Sequence, residues 1–250
     1  MMDISSTART ISQWPTLVGA AAIPASVMKA VEMFDAAEYI EGPYTGVDPS
    51  TIRMDTIEET MVTLAVQYAQ EEQFAKAKHQ VRDALGRQLL QTAGTAVEDI
   101  KAAIRPDFDR AVEVFTSAVE VLPDDLDATA LIRRGTDAVG QYTAAVEAQQ
   151  IIKAADSFLA SLTYLPRFAG ARQDNAIRIL APEDRNQLQK LVNAAGTPSK
   201  KLGDLIPLYV VAVKESIPFT LHDPSEWTAL RRDIEAAKYE PKRPTFLRFA

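Results

Sequence analysis

The sequence predicts a mainly α-helical protein: an elongated antiparallel bundle of long helices, then a smaller, mostly helical region and an extended tail. Three observations carry this expectation. Apolar residues recur three and four apart over long stretches, the period of one helix face. Proline preceded by a side-chain acceptor recurs where helices would start. Apolar residues make up 47% of the 250-residue chain and charged residues 24%, a globular balance with enough apolar surface for a core.

Residues 1–23 read as an extended N-terminal arm. Trp14 to Ile23 is apolar, but Pro15 and Gly19 interrupt the run, and Asp3 and Arg9 cancel in front of it. That pattern does not fit a secretory leader. The elongated bundle is expected over 24–166. Val27, Val31 and Phe34 place a first helix over about 24–40, closed by Gly42, Pro43 and Gly46. Asp48-Pro49 then offers a capped start for the longest helix, expected to run to Arg105. Met54, Ile57, Met61, Leu64 and Tyr68 form a coiled-coil-like seam along it. The seam resumes at Val81, Leu85, Leu89, Val97, Ile100 and Ile104, with Gly86 and Gly94 as expected bends.

Pro106 is expected to bound or kink the helix. Phe108 to Leu122 reads as a further helix, and Asp125 to Leu165 as a second long one stopped by Pro166. The buried face of the latter is expected at Ile132, Val139, Tyr142, Val146, Ile152, Ala155, Leu159 and Leu162. Pro123-Asp124-Asp125 and Pro182-Glu183-Asp184 put carboxylates in first turns, where the helix dipole favours them.

A smaller region is expected over 167–240. Helices are predicted over 182–195, along Leu202 to Val213 with Pro207 starting or kinking it, and from Trp227 to about Lys238. Thr197-Pro198 and Asp223-Pro224 supply caps, the latter with Glu226 completing a capping box. Three short runs, 176–180, 217–221 and 245–249, fit strand or loop equally. Residues 241–250 form an extended basic and aromatic tail, its two prolines opposing a helix.

The chemistry of the chain is mostly negative. It contains no cysteine, which excludes disulfides, thiolate metal sites and a cysteine nucleophile. Of two histidines, His79 and His222, neither follows a carboxylate by three positions, so a Glu-x-x-His metal bundle fails. His79 reads as a solvated surface residue. There is no phosphate-loop or dinucleotide glycine pattern, and Gly196 to Lys201 reads as a cap with a basic first turn. Ser26-Val27-Met28-Lys29 matches the S-x-x-K pattern of penicillin-recognising enzymes without its partner motifs. The paired carboxylates Glu58-Glu59 and Glu71-Glu72 read as solvated surface. No catalytic, cofactor or metal residue is expected.

Association is the positive signal. Residues 1–125 hold 10 basic and 20 acidic side chains, net −10, and residues 126–250 hold 17 and 14, net +3. The overall charge of −7 disfavours nucleic acid, and no run is long and apolar enough for a membrane helix. Lys242, Arg243, Phe246, Leu247, Arg248 and Phe249 in the tail, with Trp14 in the arm, are the candidate partner-binding residues, and each segment either docks on a neighbour or folds back onto its own domain. Long amphipathic helices, uneven charge and apolar ends together resemble components of self-assembling particles, such as bacteriophage capsid, connector or tail-associated proteins. That resemblance implies a non-enzymatic structural or scaffolding role in the cytoplasm or a virion, with protein partners that include copies of the chain itself. A cytoplasmic helical adaptor and an enzyme with an unrecognised carboxylate or serine site are the alternatives.

Overall fold

The computed structural model describes residues 4–42, 57–123, 126, 128–196 and 202–237. The starts expected at Asp48-Pro49 and Thr197-Pro198, the Asp124-Asp125 pair and the whole tail 241–250 lie outside these residues. The class is mainly α, a helical bundle. Ten α-helices are present among the described residues: α1 Ile4–Ser12, α2 Trp14–Val18, α3 Ala25–Tyr39, α4 Ile57–Thr95, α5 Val97–Val121, α6 Ala128–Arg134, α7 Thr136–Ser161, α8 Arg185–Gly196, α9 Pro207–Lys214 and α10 Pro224–Ala236. The only strand-like pairing among them is an antiparallel bridge between Leu180 and Phe219. Thr220 N–H donates to Ile179 O at 2.9 Å, and His222 N–H to Arg178 O at 3.0 Å. Two of the three ambiguous runs thus meet each other in one short contact.

The chain divides into two compact units. The first comprises Met1–Ile104 with Tyr164–Ala169, the second Arg105–Thr163 with Gly170–Ala250.

In the first unit, α1 and α3 pack on the C-terminal half of α4. The N-terminal residues are therefore not the extended arm expected. Thr7, Ala8, Ile11 and Trp14 are buried at helical spacing, so this segment folds as α1 and α2 onto its own unit. Phe34 and Val27 bury from α3, and Leu89, Leu90 and Ala93 from α4. Gly86 is the point of closest approach: a Cβ there would lie 2.9 Å from Ile4 Cγ2 and 3.6 Å from Phe34 Cε2. It therefore acts as a packing contact within the helix. A Cβ on Gly94 would meet nothing within 4 Å, and α4 ends one residue later. The break between α4 and α5 falls at Ala96, short of the expected Arg105.

Pro106 does not bound α5, which runs through it from Val97 to Val121. Ile100, Ile104, Phe108, Ala111, Phe115 and Ala118 are all buried on one face that continues across the proline. Burial on that scale offsets the ~3 kcal/mol an interior proline costs.

In the second unit, the long helix expected over 125–165 is two helices parted at Gly135, whose φ of 98° suits only glycine. The face expected on its first half is not buried: Ile132 is 73% and Val139 40% exposed. Leu126 and Leu131 are buried, and along α7 burial begins at Ala145 and continues through Ala148, Ile152, Ala155, Phe158, Leu159 and on to Leu162 just past its end. The core includes three mutually edge-on rings, Phe115, Tyr209 and Phe219, with centroids 6.1 to 6.3 Å apart. Pro207 occupies the first turn of α9, as its missing N–H allows. Asp223 caps α10: its carboxylate accepts from Ser225 N–H and Glu226 N–H, and Glu226 reaches back to Asp223 N–H at 2.7 Å. Asp184 likewise accepts from Gln187 N–H at 2.8 Å, so it caps α8 instead of sitting in its first turn.

Candidate functional site

The N-terminal half of α4 stands apart from the rest of the first unit. Glu58 and Glu59 lie in its first turn, where they complement the helix dipole. No residue from Ile57 to Leu85 is buried. Ile57, Met61, Val62, Val66 and Tyr68 are 45%, 65%, 60%, 52% and 58% exposed. Among the described residues, the end of α3 and the residues just after it meet α4 at Lys78 and Phe74. A Cβ on Gly42 would lie 3.0 Å from the Phe74 ring. The Lys78 ammonium donates to Glu38 O at 2.8 Å and Ile40 O at 2.7 Å. Before Phe74 the helix presents Ile57, Met61 and Tyr68 along one face, a seam of exposed apolar side chains of the kind that marks an interaction site.

Beside this support lies a charged cluster. Arg9 bonds to the Glu38 carboxylate, and Arg82 approaches it at 3.4 Å. The Arg9 hydrogen bond, then the nearby Arg82 and Lys78 charges, hold Glu38 below its usual carboxylate range against some desolvation. Desolvation, with the Glu38 charge behind it, pushes Asp35 up. A cleft of about 430 Å³ opens here, lined by Ser5, Ser6, Arg9, Lys78, His79 and Arg82. Arg9 and Lys78 are already engaged by Glu38 and by carbonyls, Arg82 Nε and Nη2 are buried without a hydrogen bond among the described residues, and His79 lies 3.4 Å from Asp83. Arg82 also sits over the Phe34 ring, 5.6 Å from its centre.

The second unit has one nearly buried ion pair. Arg178 donates from Nε and Nη2 to the two Asp156 oxygens, each at 2.8 Å, and its Nη1 reaches Gln173 and Asn175. Tyr209 is pushed well above the ordinary phenol range, first by burial and then by the Asp156 charge, with Arg178 opposing. Both Asp156 oxygens thereby accept from Arg178. A cleft of about 1010 Å³ runs past Arg172, Asp174, Trp227, Arg231 and Glu235. Arg231 bridges its two carboxylates, Asp174 at 2.6 Å and Glu235 at 2.8 Å. The Glu235 bond, then the Asp174 bond, hold the guanidinium above its ordinary range.

The residues singled out in the sequence fall as follows. Trp14 is completely buried in the first unit, so its side chain is not presented to a partner. Lys242, Arg243, Phe246, Leu247, Arg248 and Phe249 lie outside the described residues. Ser26, Lys29, Glu58, Glu59, Glu71 and Glu72 are exposed, and the His79 side chain is 76% exposed. The Asp156–Arg178 pair was not anticipated; nothing in a separation of 22 residues signals it. The α4 seam was legible, but its isolation from the rest of the bundle was not.

Among the described residues no group of three or more His, Cys, Asp or Glu could hold a metal ion. No helix among them is long and apolar enough to cross a membrane. No family model, curated protein or solved structure matches the chain.

Proposed function

We propose that this chain is a non-enzymatic structural or scaffolding protein that acts by protein–protein contact, joining copies of itself within a larger assembly. The exposed first half of α4 carries this reading. A helix without a packed face is marginal in water, because propagation adds little per residue and nucleation is costly. Ile57, Met61 and Tyr68 lie exposed along one face of that stretch, with the half-buried Leu64 between them. Burying them against another subunit contributes the free energy that burial within the unit does not. The unlike charge of the two halves of the chain, −10 and +3, lets identical subunits attract through different surfaces. The resemblance in composition to capsid, connector and tail-associated proteins of bacteriophages makes a virion the first setting to test.

Sedimentation of the purified chain over a range of concentrations tests the reading. The expected mass is a multiple of 27.4 kDa. Met61→Lys with Tyr68→Lys, both on the seam face, should shift it toward the single chain while leaving the helical signal in place. A chain that stays at 27.4 kDa throughout overturns self-assembly and favours an adaptor with a different protein partner.

A further inference from the structure

We propose that the exposed half of α4 receives the C-terminal tail, residues 241–250, of a neighbouring copy. This rests on the reading that the chain self-associates, and it names the two surfaces that meet. From Ile57 to Ala75 the helix carries Glu58, Glu59, Glu71 and Glu72 and no Lys or Arg. On one face of this stretch Ile57, Met61 and Tyr68 are exposed and Leu64 is half-buried, and Glu71 and Glu72 flank the same face. The complementary segment within the same sequence is Pro241 to Ala250. It has Lys242, Arg243 and Arg248, no acidic side chain, and Phe246, Leu247 and Phe249.

Length agrees as well as charge. Ten extended residues reach ~33 Å. The nineteen residues from Ile57 to Ala75 span ~28 Å of helix. Pro241 and Pro244 restrict φ and so lower the entropy lost when the tail docks extended.

Pairing of the seam with its own copy is the competing arrangement, and charge disfavours it. Two such segments bring together Glu58, Glu59, Glu71 and Glu72 of each chain, and Lys76, 2.7 Å from Glu72, compensates one of the four. The tail contact instead pairs unlike surfaces. A contact of that type is heterologous, so repetition closes a ring or extends a filament.

Charge exchange in the full-length chain tests the proposal, read by sedimentation with circular dichroism as the folding control. Lys242→Glu, Arg243→Glu and Arg248→Glu together should weaken association at least about tenfold, the sum of several exposed pairs of up to ~1 kcal/mol each. Glu58→Lys, Glu59→Lys and Glu71→Lys together should weaken it similarly. Combining the two sets should restore it. If the tail set leaves association unchanged while Met61→Lys with Tyr68→Lys abolishes it, the helix has another occupant: self-assembly stands and the tail contact is overturned. Failure of the combined set to recover, with helicity intact, also overturns it. Loss of helicity in the tail set assigns the tail to its own subunit's core and overturns it too. A wild-type chain that is monomeric removes both readings at once.

Discussion

Arg178 grips Asp156 with two parallel hydrogen bonds of 2.8 Å, and both side chains are largely withdrawn from water. The pair ties helix α7 to the segment whose Leu180 bridges to Phe219. Gln173 and Asn175 satisfy the remaining guanidinium nitrogen.

Removing one partner leaves the other charged and buried, which is more costly than never having had the pair. Asp156→Asn and Arg178→Met are each expected to destabilise the protein by ~3–5 kcal/mol. Urea or thermal unfolding of each variant checks this. A loss under ~1 kcal/mol in both, the value typical of exposed pairs, would place the pair on the surface.

Gly86 and Gly94 share one helix and differ in their neighbours. Alanine at either site gains up to ~1 kcal/mol of helix propensity. At position 94 the added carbon meets nothing, so Gly94→Ala should raise the melting temperature. At position 86 it meets the Ile4 and Phe34 side chains, so Gly86→Ala should melt below Gly94→Ala. The reverse order would mean that α1 and α3 do not close on α4 at that point.

Glu38 gives the first unit an acid-sensitive contact. Its folded pKa is lowered from 4.5, so the stability it contributes is present above that value and lost as pH falls through the lower, folded one. Asp35 works in the opposite sense. Its pKa is raised from 3.8, chiefly by desolvation, so its contribution is present below that value and lost as pH rises through the folded one. Glu38→Gln removes the first effect and one cause of the second. Melting curves between pH 3 and pH 7, about the range in which carboxylates titrate, should show a flatter acid limb in the variant. An unchanged acid limb would show that Arg9 and Arg82 contribute nothing through this carboxylate.

Local chemistry was legible in the sequence where a few neighbouring residues decide the outcome. Asp223, Pro224 and Glu226 specify a capped helix start by themselves, because cap donors and acceptors lie within one turn. Pro207 starts α9 for the same reason. Helical period likewise announced α3 and the mainly α class. Tertiary structure decided the rest, because a pattern states which face is apolar and not what covers it. Pro106 breaks a helix on local grounds, yet a buried face running from Ile100 to Ala118 outweighs it. Trp14 looked like part of a free arm, yet α1 folds it into a core built with residues far along the chain. The seam at Ile57, Met61, Leu64 and Tyr68 has the same period as the buried seam at Leu89, and only packing separates them: α1 and α3 cover one and leave the other in water.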